Sequence, residues 1–334
     1  MAKFGIYFGG TLPLDELAGL VRHAEASGFD GWFCTEHHQQ AGINPSPLIT
    51  LAALAGQTDR ISLGTAVLLP PLYHPVRLAS DAAVLDGLSG GRLIVGAGLG
   101  YQGADFEAFG TPIARRVSLL EESIEILKLA WTRERFSFHG RRFELEDVSV
   151  VPKPVQSPRP PLWLAGWTEP GVRRAARIGD AWLTDPILSL GAVETLLGAY
   201  REEAAAHSAD TGVVLMRPLA LGPTREAAFE TYAGAAVSTY RYYWRNGAMN
   251  ADLEPWLKKV TADAQLTWEN LSPDRVIFGT PDDCIAATGR WFAATGSDYM
   301  ILSISPGGGG DRWAAMREAI ALFGREVIPA FRTS

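Results

Sequence analysis

The chain has 334 residues, 47% of them hydrophobic and 20% charged with both signs interspersed, which excludes a disordered tail, a collagen-like repeat and a coiled coil. Thirty basic residues against 37 acidic ones give a formal charge of −7, so the chain has no basic footprint of a nucleic-acid binder. Its two cysteines, Cys34 and Cys284, lie far apart and outside any CxxC or Cys/His cluster, which fits a reducing compartment and argues against structural zinc.

Short apolar runs alternate with longer stretches of helical period, the signature of an α/β protein with a parallel sheet. Phe4 to Phe8 reads as a first strand, followed by a helix from Leu14 to Ser27 with Leu17, Leu20, Val21 and Ala24 on one face and Gly28 closing it. Gly31 to Thr35 is a second strand, Pro47 to Gln57 an apolar helix, and Ile61 to Leu68 a third strand. A helix from Pro75 to Leu88 and a fourth strand from Arg92 to Gly96 follow. The longest helix is predicted from Arg115 to Trp131; FSFHGRRFELEDV then alternates about a His139-Gly140 turn as a small hairpin outside the main sheet. A proline-rich linker delivers the chain to a fifth strand, Leu162 to Ala165, with helix Glu169 to Ile178, sixth strand Ala181 to Thr184 and helix Val193 to Ala206 behind it. Val213 to Ala220 is a seventh strand. A long, partly helical insertion rich in Tyr and Trp runs on to about Asn270, then a helix including Asp282 to Ala293, an eighth strand Tyr299 to Ser305, and a closing segment from Asp311 to Phe331.

Eight strands, each followed by helix, predict one (β/α)8 TIM barrel domain over 1–334, with a doubly wound open sheet as the runner-up. MAKFGIYFGG turns too soon for a signal-peptide core, and the most apolar stretch, Ile61 to Leu72, is broken by Pro70 and Pro71, so no membrane span and a cytoplasmic location are expected.

In a barrel the chemistry collects at the C-terminal ends of the strands. Thr35-Glu36-His37-His38 follows the second strand and is the densest cluster of titratable groups, suited to general acid–base work with a carboxylate fixing a histidine tautomer. A metal site would need further ligands from other strand ends; of the remaining histidines only His74 could join, and no metal is expected. Gly98-Leu99-Gly100-Tyr101-Gln102-Gly103 satisfies GxGxxG, yet Ala104 to Phe109 allows little more than one helical turn, so these glycines read as backbone clearance for a flat ligand rather than a dinucleotide fingerprint. Gly166 to Val172 leads from the fifth strand into a helix with Thr168 as candidate N-cap and Pro170 early in the first turn, a geometry that can hold phosphate with Arg173 and Arg174 close behind. Pro306 to Gly310 competes for that role, as a phosphate loop or lid. Tyr232, Tyr240, Tyr242, Tyr243 and Trp244 read as core or interface.

GFDGWFCTEHH (Gly28 to His38), LGTAVLLPPLYHPVRLASDAAVLDGLSGGRL (Leu63 to Leu93), DFEAFG, AARIGDAW and GTPDDCIA together resemble the bacterial luciferase-like family of flavin-dependent oxidoreductases, almost end to end and in order. The resemblance implies a barrel that holds reduced FMN, or alternatively a deazaflavin coenzyme, at its C-terminal mouth. It implies a monooxygenase that uses O2 to oxidise a small organic substrate, fed by a separate flavin reductase, and a homodimer. A deazaflavin-dependent hydride-transfer enzyme and a non-catalytic flavin binder are the alternatives. His37 matches the acid/base histidine, with Glu36 or His38 expected to orient it. Ala66-Val67 matches a non-proline cis peptide under the ring. Trp167, Thr168 and Gly171 match the phosphate end, and Gly98, Leu99, Tyr101 and Gly166 are expected to bind the cofactor with them. Luciferase has a reactive Cys and a phosphate-binding Arg where this chain has Gly98 and Leu99, and a Glu where it has Trp167; light emission is not expected, and phosphate must be held by amides, Thr168 or another arginine. Leu68, Leu69, Tyr101 and Trp167 are expected to line a dry mouth under a lid drawn from residues 222–272.

Overall fold

The computed structural model describes residues 1–207, 211–307 and 311–332. Eight parallel strands form the wall: β1 (Lys3–Phe8), β2 (Gly31–Cys34), β3 (Ser62–Thr65), β4 (Leu93–Ala97), β5 (Leu162–Gly166), β6 (Ala181–Thr184), β7 (Gly212–Leu221) and β8 (Tyr299–Ile304). They pair in chain order from β1 to β8. Because β8 also pairs with β1, in register from Lys3 opposite Tyr299, the sheet closes and leaves no edge within the barrel. The (β/α)8 barrel stands, and the open sheet is excluded.

The interior is filled by side chains that point inward on alternate residues: Phe33, Ile94, Trp163, Leu183, Val214, Met216, Tyr299 and Ile301. Phe33 dominates the lower half because its neighbours give way. A Cβ at Gly5, Gly31 or Gly64 would lie 2.7, 2.6 or 2.4 Å from its ring, so glycine on three strands makes room for one aromatic. The outward residues of the same strands, including Phe4, Ile6, Trp32, Leu63, Leu93, Leu162 and Trp182, pack under the helices in the main core. This plug fills the barrel below the C-terminal mouth.

Several boundaries differ from expectation. The third strand ends at Thr65 rather than Leu68, and the chain continues through a cis Ala66-Val67 peptide before Leu68 rejoins the wall by a single bridge to Ala97. The longest helix is Arg225–Arg245, 21 residues, not the 17-residue Arg116–Thr132. A short strand, Ile277–Gly279, missed in the sequence, pairs with the end of β7. The hairpin Phe136–His139/Glu144–Val148 lies outside the wall as expected. Its turn is tied down by the Glu122 carboxylate, which accepts from the amides of Arg141, Arg142 and Phe143 at 2.9, 2.8 and 3.0 Å. Among the described residues no helix is long and apolar enough to cross a membrane.

Candidate active site

Two cavities open at the mouth. The first, about 230 Å³, is lined from the ends of β1 to β7 and by Tyr243 and Ala248 of the long insertion, within the 222–272 segment from which a lid was expected. Every residue expected to bind the cofactor lies on its wall: Ala66, Val67, Gly98, Leu99, Tyr101, Gly166, Trp167, Thr168 and Gly171. Leu69 joins them, whereas Leu68 is turned fully into the core, a correction to the expected lining.

His37 lines this cavity and is largely withdrawn from water, which pushes its pKa below the ordinary histidine value and keeps the ring neutral at physiological pH. The Gln102 amide donates to His37 Nδ1 across 3.2 Å, so the ring proton resides on Nε2. Tyr101 meets the His37 ring edge to face at 6.4 Å, and Trp167 meets Tyr101 the same way at 6.1 Å. Glu36 and His38 do not orient His37. The buried Glu36 carboxylate accepts from the Leu69 amide at 2.7 Å, the Tyr73 hydroxyl at 2.7 Å and His38 Nε2 at 2.9 Å. That ion pair raises the pKa of His38, whose ring packs on Phe109 at 4.6 Å and does not reach the cavity wall. Glu36 is thus the clasp of the Leu69 loop. The side-chain hydrogen bond to the His37 ring comes from Gln102, which was visible in the sequence only as one x of GxGxxG.

Two glycine contacts shape the floor and one end. A Cβ at Gly98 would lie 2.7 Å from Val67 Cγ2, so the bare backbone lets the Ala66-Val67 peptide press against the ring loop. A Cβ at Gly166 would sit 2.8 Å from the Gly171 carbonyl carbon, which explains how the start of helix Glu169–Ile178 comes so near the strand end. Thr168 caps that helix, accepting from the Gly171 amide at 3.4 Å. Arg173 and Arg174 turn away: Arg173 pairs with Glu169, Glu202 and Glu203, and Arg174 with Glu121. The arginine at this cavity is Arg116, whose Nε is buried with no hydrogen-bond partner. A donor left idle inside a protein is costly unless a ligand takes it, so the cavity offers an anion such as a phosphate one unpaired cationic donor. Nothing in the sequence separated Arg116 from its neighbours. Gly308 to Gly310, the competing loop, lie outside the described residues.

The opposite wall is the loop Asp185–Leu188 after β6. Its four carbonyls are all held by side chains: Asp185 and Leu188 by the buried Arg217, Pro186 by the Tyr240 hydroxyl at 3.0 Å, and Ile187 by the buried Arg275 at 3.0 Å. Burial pushes the Asp185 carboxyl up to about 6, against the amide of Ile187 and the charge of Arg217, which act the other way. A carboxyl whose pKa rises on folding binds its proton more tightly in the native state. Its stabilising share is therefore full below the unfolded value and lost as pH climbs through about 6. Asp185→Asn is accordingly expected to raise the urea midpoint at pH 8, with the gain vanishing below about pH 4. An unchanged midpoint at pH 8 would show that the carboxyl is not burdened.

The second cavity, about 550 Å³, adjoins the first and shares Tyr7, His37, Tyr101, Pro186, Ile187, Met216 and Tyr243 with it. Tyr232 and Tyr240 are buried in the main core, as expected, and with Tyr242 and Tyr243 they also reach this cavity's wall. No cluster of three or more potential metal ligands exists among the described residues, and His74 packs against Phe143 instead.

A sequence model described as luciferase-like monooxygenase matches residues 3–299. The chain belongs to that family. Within it, the oxygenase component of flavin-dependent trigonelline monooxygenase from Acinetobacter baylyi is 31% identical over 45% of this chain and 42% of that protein. The F420-dependent glucose-6-phosphate dehydrogenase of Nakamurella multipartita is 27% identical over 95% of this chain and 92% of its own. The FMN-bound oxygenating constituent of 3,6-diketocamphane monooxygenase from Pseudomonas putida superposes with a TM-score of 0.80 at 21% identity, covering 99% of this chain and 98% of that one. The chain spans 57% of the length of an uncharacterized Sinorhizobium fredii relative, at 32% identity over 58% of its own. Luciferase-like proteins thus include both FMN monooxygenases and F420-dependent oxidoreductases, all on this barrel.

Proposed function

We propose that the protein is a flavin-dependent monooxygenase that takes reduced FMN from a separate flavin reductase and uses O2 to oxidise a small organic substrate. Bound there, reduced flavin would supply the two electrons needed to activate O2, one oxygen atom of which would go to the substrate and the other to water. Arg116 carries this reading: a buried guanidinium nitrogen with no partner, on the wall of the same glycine-floored cavity as Thr168, Gly171 and a neutral histidine. Arg116, Thr168 and the Gly171 backbone would hold the phosphate; Ala66, Val67, Gly98, Leu99 and Tyr101 would flank the ring. His37 would hold or move a proton at Nε2, with Gln102 fixing its tautomer. The apolar walls and Tyr243 would exclude water.

The deazaflavin reading draws on the near full-length likeness to the Nakamurella enzyme. F420 carries a polyanionic tail beyond its ring system, and a tail needs free cations outside the phosphate end. Arg173, Arg174 and Arg177 are each already paired with glutamates there, which favours FMN. The deciding experiment is anaerobic titration with reduced FMN and with reduced F420, followed by admission of air. The proposal expects micromolar binding of reduced FMN and O2 uptake that rises with an oxidisable substrate; tighter F420 binding, or binding of neither, overturns it.

Arg116→Gln is expected to weaken FMN about tenfold while riboflavin, which lacks the phosphate, binds as before. Equal losses for both ligands would assign Arg116 to the fold. A homodimer is also proposed. Ile49 is 72% exposed on helix Pro47–Ala55, and Val84 and Leu88, 44% and 59% exposed, lie on the neighbouring helix Pro75–Leu88. Light scattering should give twice the chain mass, and Leu88→Glu should shift it to monomer.

A further inference from the structure

The second cavity has an unusual wall. Six of the chain's nine tyrosines, Tyr7, Tyr101, Tyr232, Tyr240, Tyr242 and Tyr243, line it together with Phe8 and Trp313. Aromatic faces at this density recognise a flat π-system, which they hold by stacking and edge contacts without fixing its sequence of polar groups. Most phenols are engaged: Tyr240 donates to the Pro186 carbonyl, Tyr232 to the Ala315 carbonyl at 3.4 Å, and Tyr242 accepts from Gln40 at 3.3 Å. Tyr243, at the junction of the two cavities, has no hydrogen-bond partner for its hydroxyl among the described residues, so one donor is free where a ligand would meet the first cavity.

Charge selects further. Among the described residues on this wall, Arg312 is the sole permanently charged side chain, and His37 is neutral. Arg312 belongs to the second cavity alone, away from the residues shared with the first. Its guanidinium lies 4.2 Å over the Trp313 ring, and Trp313 in turn packs on Phe8 of the wall at 5.7 Å, so an exposed arginine is held at the cavity rather than loose in solvent. Among the described residues it has no carboxylate partner: the adjacent Asp311 turns Oδ1 to the amides of Trp313 and Ala314 at 2.9 and 3.2 Å.

We propose that the second cavity binds a flat aromatic molecule bearing one anionic group, with the ring among the tyrosines and the anion on Arg312. If the first cavity holds flavin, as proposed above, this is the class of substrate that is oxidised at the junction. Binding itself does not depend on that reading.

The test uses the purified chain and three probes of one shape, 2-naphthoate, neutral 2-naphthamide and cationic 2-naphthylmethylammonium, titrated by calorimetry. The carboxylate should bind at least about tenfold more tightly than the amide, and the cation weakest. Arg312→Gln should bring carboxylate and amide within about twofold while leaving reduced FMN affinity unchanged. Ala236→Trp, which fills the second cavity alone, should abolish binding of all three. Equal binding of the carboxylate and amide, preference for the cation, retention of the preference in Arg312→Gln, or no binding at millimolar probe overturns the proposal. Charge-selective binding by a chain that fails to take up reduced FMN would sustain this site and remove the flavin reading.

Discussion

His37→Ala is expected to lower turnover by a factor on the order of 10²–10⁴ while reduced FMN still binds within about threefold of the parent. The ring is the one neutral imidazole on the wall common to both cavities, and Gln102 sets which nitrogen carries the proton. Its loss removes proton transfer without touching the phosphate end. Gln102→Leu should give a weaker version of the same defect, because the ring stays but its tautomer is no longer fixed. Rapid-mixing kinetics would separate the chemical step from binding. Turnover that survives in His37→Ala would move the proton-transfer role elsewhere on the wall, with Asp185 next in line.

Glu36→Ala is expected to cost about 3 kcal/mol of folding stability, the range for breaking a buried, hydrogen-bonded ion pair. Three donors lose their acceptor at once: the Leu69 amide, the Tyr73 hydroxyl and His38 Nε2. Because Leu69 lines the first cavity, flavin affinity should fall with stability. The His38 share depends on pH. His38 titrates above its ordinary value in the folded protein, so that share is full below about 6.5 and fades as pH rises through the raised value. Urea titrations at pH 6 and pH 9 should therefore show a larger penalty at pH 6. A penalty independent of pH would mean that the pair is not charged, and no penalty would mean that the clasp is not needed.

The barrel was legible because its determinants are local. Apolar runs such as Gly31 to Cys34 and Ala181 to Thr184, each punctuated by glycine or a capped helix, report their own conformation, and the helix Glu169–Ile178 was placed to the residue by Thr168 and Pro170. The lining of the first cavity was legible through family motifs, including the cis Ala66-Val67 peptide. What escaped was pairing across the fold. Whether Glu36 serves His37 or His38, and whether Arg116 or Arg173 faces the cavity, depends on contacts spanning tens of residues that no periodicity encodes. Helix Arg225–Arg245 buries Tyr232 and Tyr240 in the core as its spacing suggested, but that the same side chains also reach a cavity is something spacing does not report.

The loop Asp185–Leu188 has one more bearing on how such a protein can diverge. With each of its carbonyls gripped by Arg217, Tyr240 or Arg275, the partition between the two chambers behaves as masonry. New ligand preferences must then come from the facing side, where Ser238, Thr239 and Tyr242 ride on a helix with solvent behind it. Libraries built at those three positions should yield altered selectivity in folded protein, whereas libraries at Arg217 or Arg275 should yield mostly aggregates.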